Sequence, residues 1–270
     1  MPPQQHLGAL AAHLSHWLRR LMPPGPRLDT LTAGLESGFT GRRDPVTAET
    51  CRELETFCQR TARHLELHFD PDGAAPPDEQ PPGWPAPDPA AIRRRGAGVT
   101  AVQRQDDGTC VLRIDSLEPV SVALPYLEAA FALARDATSV VLDLRANGGG
   151  DPGTVAAIAG RLLGETTRPL SEVVYRDRRR QWWPRVTEAH LTQDVTVLVS
   201  GRTYSSAEAL AYHLQARDRV TVIGERTPGT ADHVTPVRLT PQVLGLLPEA
   251  TVIDAVTGTN WEPTGVGPRS

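Results

Sequence analysis

The chain has 270 residues, room for one large domain or two small ones, and 39% hydrophobic residues, enough to fill a core. A net charge of −4 supplies no global field to recruit nucleic acid or a membrane surface. Cys51, Cys58 and Cys110 are an odd set without metal spacing. With no signal-like start and no apolar run of about 18 residues, they point to a soluble, cytoplasmic protein.

In chain order, residues 6–22 predict an amphipathic helix through Leu7, Leu10, Leu14, Trp17, Leu18 and Leu21, stopped by Met-Pro-Pro-Gly-Pro. A second helical pattern covers 47–65, capped near Thr47 and carrying Cys51, Leu54, Phe57, Cys58, Ala62 and Leu65. Residues 70–90 are acidic and Pro-rich. They suit neither a helix nor a central strand, and read as a linker or a flap.

The pattern then changes. Residues 98–117 read as a hairpin turning at Asp107-Gly108, and 122–136 as a helix. SVVLDLRA and DVTVLVSG are buried strands, SEVVYRD and RVTVIGE further strands, and PGTVAAIAGRLLG and SSAEALAYHLQA helices. ADHVTPVRL and EATVIDAVTG close the chain as late strands. Alternating strands and helices predict an α/β fold with a largely parallel sheet. The expected division is a helical region over 1–69, a Pro-rich linker or flap over 70–97 and an α/β core over 98–270. No internal repeat is evident.

Two stretches carry the chemistry. In RTYSSAEAL, Ser205 precedes Glu208 by three residues at a strand-to-helix turn. Ser-x-x-Glu before an apolar run is a capping box. The same geometry lifts a hydroxyl clear of the sheet, where a helix N-terminus stabilises negative charge, and that suits a nucleophile. In LDLRANGGGDPG a buried strand runs into glycines and then a helix. Gly148, Gly150 and Gly153 satisfy the spacing of a dinucleotide fingerprint. An Asp-Pro lies inside it, and the next strand opens rather than ends on an acid, Glu172, so the match is a weak one. The other readings are a loop whose N–H groups face a cleft, and a tight structural turn.

The order of the Asn-Gly-Gly-Gly loop, the Ser-rich turn, GERTPGT and the terminal NWEPTGVGP resembles the C-terminal-processing (tail-specific) serine protease family. That group includes the tricorn core and the interphotoreceptor retinoid-binding repeats. The resemblance covers about residues 98–270. It implies a crotonase/ClpP-like core, a ββα-type sheet with flanking helices, preceded here by a small helical region. It also implies that Ser205 is the nucleophile, and that N–H groups of Ser206 and the Gly148–Gly149 loop form an oxyanion hole. Where the processing-protease branch has a lysine base, this sequence has Thr230. The Ser-Lys dyad is therefore absent.

The tricorn and retinoid-binding-like members imply a different base. His64, in TARHLELHFDP, matches their N-terminal histidine, and Glu262, in NWEPTGVGP, their terminal glutamate. A neutral imidazole can take the serine proton, and a carboxylate can fix its tautomer. Taken singly, His64 reads as a helix-end residue and Glu262 as a surface carboxylate. His213 and His233 stay open as alternative bases. His68 shares a face with His64 at i+4, but no Glu stands in H-E-x-x-H register, and no metal or cofactor is expected.

RDRRRQWWP reads as a solvated loop or as the edge of a substrate cleft. In the second case Arg178 and Arg179 grip a carboxylate while Trp182 and Trp183 hold an apolar group. The expected activity is amide or ester hydrolysis through an acyl-enzyme, on a peptide or small-molecule substrate. The other readings are a binding protein for hydrophobic small molecules and a dinucleotide-dependent enzyme. Neither nucleic acid nor membrane is an expected partner, and homo-oligomerisation stays open.

Overall fold

The computed structural model describes residues 6–73, 81–187 and 189–269. The chain opens with three helices, α1 (Leu7–Leu21), α2 (Pro26–Phe39) and α3 (Ala48–Cys58), then strand β1 (Glu66–Phe69) and a short helix α4 (Pro89–Arg94). The hairpin β2 (Val99–Arg104) and β3 (Cys110–Ile114) follows, then α5 (Val120–Ala134), β4 (Ser139–Asp143) and α6 (Pro152–Leu163). Next are β5 (Ser171–Tyr175), β6 (Arg179–Trp182), β7 (Asp194–Val199), α7 (Ser206–Ala216) and β8 (Val220–Gly224). Two long strands, β9 (Asp232–Thr240) and β10 (Val243–Asp254), complete the order.

The chain divides into two units. The first comprises Met1–Pro85, Val174–Arg180 and Asp232–Val252. Its core joins Leu7, Leu10, Leu14 and Leu18 of α1 to Leu28, Leu31 and Leu35 of α2, Leu54 and Cys58 of α3, and Val237, Leu239, Val243 and Leu247 of β9 and β10. Leucines three and four apart give each helix one apolar stripe, and the alternating residues of the strands supply the facing surface. Thr47 caps α3 through a reciprocal box with Thr50. β1 and β9 both pair antiparallel with β10, in a sheet ordered β1–β10–β5–β6 with β9 on β10.

The late strands were expected in the α/β core. Asp232–Val252 instead packs with the N-terminal helices, because the buried faces of β9 and β10 complete the leucine core there. The helical region also holds a helix that the sequence pattern did not show: α2 starts at the end of the Pro-Gly-Pro that reads as a stop. Pro26 stands at the start of that helix, where its missing N–H costs nothing. The expected 70–97 linker contains α4, capped by Asp88. Residues 74–80 of that segment lie outside the described residues.

The second unit comprises Ala86–Val173, Gln181–Ala231 and Ile253–Ser270. Its five-stranded sheet runs β2–β3–β4–β7–β8. The hairpin β2–β3 is antiparallel and turns at Asp107-Gly108 as the sequence predicts, and β3, β4, β7 and β8 are mutually parallel. Leu112, Val140, Leu142, Val195 and Val197 are buried with Leu127 and Phe131 of α5, Ile158 and Leu162 of α6, and Leu210 and Leu214 of α7. Central parallel strands covered by helices leave the turns after β4 and β7 at the carboxyl edge of the sheet. The two chemical motifs occupy those turns. Among the described residues, no helix is long and apolar enough to cross a membrane.

Candidate active site

Ser205 sits at the turn from β7 into α7 with φ 53 and ψ −122, a conformation that L residues rarely adopt. Such backbone is strained by about 1–3 kcal/mol and persists only where its surroundings hold it. The surroundings are visible. The Ser205 N–H donates to Glu208 Oε2 at 3.0 Å and to Thr230 Oγ1 at 3.1 Å. Glu208 is fully buried, and its carboxylate accepts from more than its own helix end. Thr227 Oγ1 and the Gly229 N–H reach Oε1 at 2.6 and 2.7 Å, while the Thr230 N–H and hydroxyl reach Oε2. The reciprocal half of the box is thus formed at Ser205 N, but the Ser205 hydroxyl makes no capping hydrogen bond of good geometry.

The glycine loop after β4 is stitched to this turn. The Tyr204 N–H donates to the Asn147 carbonyl at 3.0 Å, Thr203 Oγ1 to the Leu144 carbonyl at 2.8 Å and Ser206 Oγ to the Gly150 carbonyl at 2.8 Å. Gly149, at φ +96, packs directly on the Ser205 turn. A Cβ there would lie 2.9 Å from the Ser205 Cβ. Its N–H donates to Asn147 Oδ1 at 2.8 Å, so Gly149 gives the loop space rather than a hydrogen-bond donor to an oxyanion, a correction to its expected role. Among the described residues, the N–H groups of Gly148 and Ser206 have no acceptor within the chain.

Asp151 caps α6. One carboxylate oxygen accepts from the Gly153 N–H at 3.1 Å and the other from the Val120 N–H at 2.6 Å. A carboxylate therefore occupies the helix N-terminus where a dinucleotide's pyrophosphate would sit, and the fingerprint reading loses its site.

A match to the model for peptidase family S41 spans residues 108–269, from the β2–β3 turn to the end of the described chain. The chain belongs to peptidase family S41. It is a serine peptidase of the tail-specific type. Solved structures with similar folds include a candidate peptidase from Parabacteroides merdae, 16% identical with TM-score 0.64, covering 98% of this chain and 89% of that one. A lipoprotein from Streptococcus agalactiae is 13% identical with TM-score 0.61, covering 99% and 92%. A candidate S41 protease from Bacteroides fragilis is 22% identical with TM-score 0.53, covering 63% and 49%.

Within this peptidase, Thr230 stands where the lysine of the processing branch would be, 3% exposed and bound to the Ser205 N–H. Burial disfavours the thiolate form of the cysteines, pushing Cys51 up to about 11, Cys58 up to about 12 and Cys110 in the same direction.

His64 lies in the first unit, 4% exposed. Its Nδ1 is 2.5 Å from the main-chain carbonyl oxygen of Asp232. A carbonyl only accepts, so Nδ1 carries a proton. Asp232 is held in turn by Arg27, which donates to both carboxylate oxygens and, through Nε, to the Thr61 carbonyl at 2.8 Å. The expected base is therefore fixed by a backbone carbonyl whose strand is pinned by an ion pair. Sequence reasoning missed both Asp232 and Arg27, because nothing local in the sequence links residue 64 to residue 232.

Glu262 lies in the second unit, with Oε2 3.4 Å from the Ala231 N–H. The adjacent Trp261 is fully buried and donates from Nε1 to the Thr230 carbonyl at 3.2 Å. That bond ties the terminal segment to the loop anchored by Glu208. The Trp261 ring also meets His213 edge-on at 5.8 Å. His213 is buried and gives Nδ1–H to Asp254 at 2.7 Å. Burial lowers its pKa, outweighing Asp254. Burial alone would raise the Asp254 carboxyl, but hydrogen bonds from His213 and the Thr257 N–H, and the nearby Arg217, hold it at about 2. His213 is thus a structural pillar rather than a base. His233 is pushed down to about 4 by burial and by the neighbouring His64.

Arg178 closes the β5–β6 turn, Arg179 opens β6, Trp182 ends it half-buried, and Trp183 is exposed. The segment is thus a hairpin edge rather than a loop. Among the described residues, no group of His, Cys, Asp and Glu side chains converges as a metal site. A separate cavity of about 370 Å³ opens beyond the carboxyl ends of β3, β4, β7 and β8, lined by Arg113, Asp143, Arg145, Ser200, Arg202 and Glu225. Ser205 does not line it, and Arg145 is spent in a two-pronged pair with Asp143.

Proposed function

We propose that this serine peptidase hydrolyses peptide bonds through an acyl-enzyme formed on Ser205, with His64 as base and Glu262 as the accompanying carboxylate. The observation that carries the reading is the strained Ser205 backbone, held by Glu208 and Thr230 against Gly149. A hydroxyl on such a turn stands clear of the sheet, as in other strand-to-helix nucleophile turns. Ser205 Oγ attacks the scissile carbonyl carbon while His64 Nε2 accepts the hydroxyl proton. The carbonyl oxygen becomes an oxyanion that takes hydrogen bonds from the Gly148 and Ser206 N–H groups.

Collapse breaks the C–N bond, and the imidazolium returns its proton to the leaving amine. Water, deprotonated by His64, then releases the acyl group and restores Ser205. The orienting bond at Nδ1 is supplied by the Asp232 carbonyl. Glu262 is accordingly assigned the stabilisation of the imidazolium by its charge. Peptides are the substrate class that family membership supports. The unbridged, buried thiols suit the reducing, cytoplasmic compartment read from the sequence.

The test is labelling with a fluorophosphonate probe and mapping of the adduct by mass spectrometry. The expected result is an adduct on Ser205, absent in Ser205→Ala and slowed at least about 100-fold in His64→Ala, the usual scale of a positioned base. An unlabelled, folded wild-type protein would overturn the reading.

A further inference from the structure

The cavity beyond β3, β4, β7 and β8 takes no part in the chemistry of Ser205. All of its lining residues belong to the second unit, and it lies at the carboxyl ends of parallel strands, where α/β sheets bind ligands. At about 370 Å³ it has the size of a small-molecule site. Two of its walls, the turns after β4 and β7, are locked together. Ser200 Oγ donates to the Arg145 carbonyl at 2.7 Å and accepts from the Arg202 N–H at 3.0 Å. The cavity is therefore formed before any ligand arrives.

The lining offers more donors than acceptors. Three guanidinium groups, Arg113, Arg145 and Arg202, stand with two carboxylates, Asp143 and Glu225. The pair with Asp143 offsets the charge of Arg145 but uses only Nε and Nη2, which leaves Nη1. Both Asp143 oxygens are taken up by Arg145. Arg113 is level with Asp143 on the neighbouring strand and gives only its Nε to Asp115, at 2.8 Å. Among the described residues its Nη hydrogens have no acceptor, and the Arg202 guanidinium has no partner. Glu225 is the reverse case. It is exposed and accepts one long bond, from the Gly201 N–H at 3.5 Å.

Unspent guanidinium N–H groups suit an oxyanion, since planar guanidinium groups bond phosphate-like oxygens in pairs. The Glu225 carboxylate narrows the choice. It repels an anion that only accepts, such as sulfate, and favours one with a hydrogen to donate. We infer that the cavity binds phosphate in a form that keeps an O–H. Arg113, Arg145 and Arg202 donate to its oxygens, and Glu225 accepts its hydrogen. The inference makes no use of the roles proposed for Ser205 and His64. Such a group comes from free phosphate or from a phosphate monoester. A monoester loses its last proton at about pH 6, whereas free phosphate still holds one at pH 7.5. Free phosphate is therefore the ligand at neutral pH.

The test is calorimetric titration of the wild-type protein at pH 7.5 and constant ionic strength with inorganic phosphate, sulfate and glycerol 3-phosphate. Phosphate is expected to bind at least about tenfold tighter than either of the others, the worth of one charge-assisted hydrogen bond. Arg202→Ala should weaken phosphate binding about tenfold. Glu225→Gln should bring sulfate level with phosphate, because the amide NH2 donates to either anion. Both residues are exposed, so neither substitution opens the core, and urea midpoints matching the wild type check this. The site is overturned by an absence of phosphate binding, or by sulfate or glycerol 3-phosphate binding as tightly as phosphate. It is equally overturned if phosphate affinity is unchanged in Arg202→Ala, or if the preference over sulfate survives in Glu225→Gln.

Discussion

At Gly149 a methyl group would meet the Ser205 Cβ and the Tyr204 carbonyl oxygen, each at 2.9 Å, from a backbone at φ +96. Neither neighbour can give way without moving Ser205. Gly149→Ala is therefore expected to lose about 1–3 kcal/mol of stability and most fluorophosphonate labelling. Urea denaturation and labelling kinetics check the two effects together. Labelling at the wild-type rate would mean that the loop does not set the position of Ser205. The sequence made the glycine run and Ser205 legible as a pair of turns. It did not show which glycine touches the serine, or that Asn147 folds back onto the Gly149 N–H. A short side chain bonding its own backbone two residues on is a local choice that competes with other turns, and the packing around it decides.

At the scale of the element, the entry to α7 is more than a capped helix. A plain capping residue contributes about 1 kcal/mol. Glu208 takes bonds from Ser205, Thr227, Gly229 and Thr230, so it joins the helix to the loop that stands where the lysine is missing. Glu208→Gln keeps the shape but turns an NH2 toward groups that all donate. The expected cost is about 2–4 kcal/mol, with slower labelling of Ser205 because its strained N–H loses an acceptor. A loss near 1 kcal/mol with normal labelling would return Glu208 to the role of a cap. Elements with strong periodicity, α1, β4, β7 and α7, were legible from sequence. α2 was not, because a proline-rich stop and a helix that starts on proline look alike in one sequence. The late strands were legible as strands, but not their burial against helices some 200 residues earlier in the chain. Local pattern carries no record of such pairings.

At the scale of the whole molecule, four motifs in order made the family legible, although none of them is decisive alone. The two-unit division was not legible, since each unit is built from separated stretches of chain. That division places His233 in the first unit, where it makes folding depend on pH. The unfolded chain protonates this histidine near its ordinary value of 6.5, and the folded one only at about 4. Between those values the unfolded state holds more protons, so stability falls as pH drops from about 6.5 to about 4. The full effect is about 3 kcal/mol. Glu249 works in the opposite direction, because burial makes its carboxyl hold a proton at higher pH in the folded state. His213, also lowered by burial, adds acid sensitivity in the second unit. Comparing urea midpoints of the wild type and His233→Gln at pH 7.5 and pH 5 isolates the His233 contribution. The variant is expected to lose less stability on acidification, by about 2 kcal/mol over this interval. An unchanged difference between the two pH values would mean that His233 protonates freely in the folded protein, and that its contacts with Tyr175 and Glu249 open at low cost.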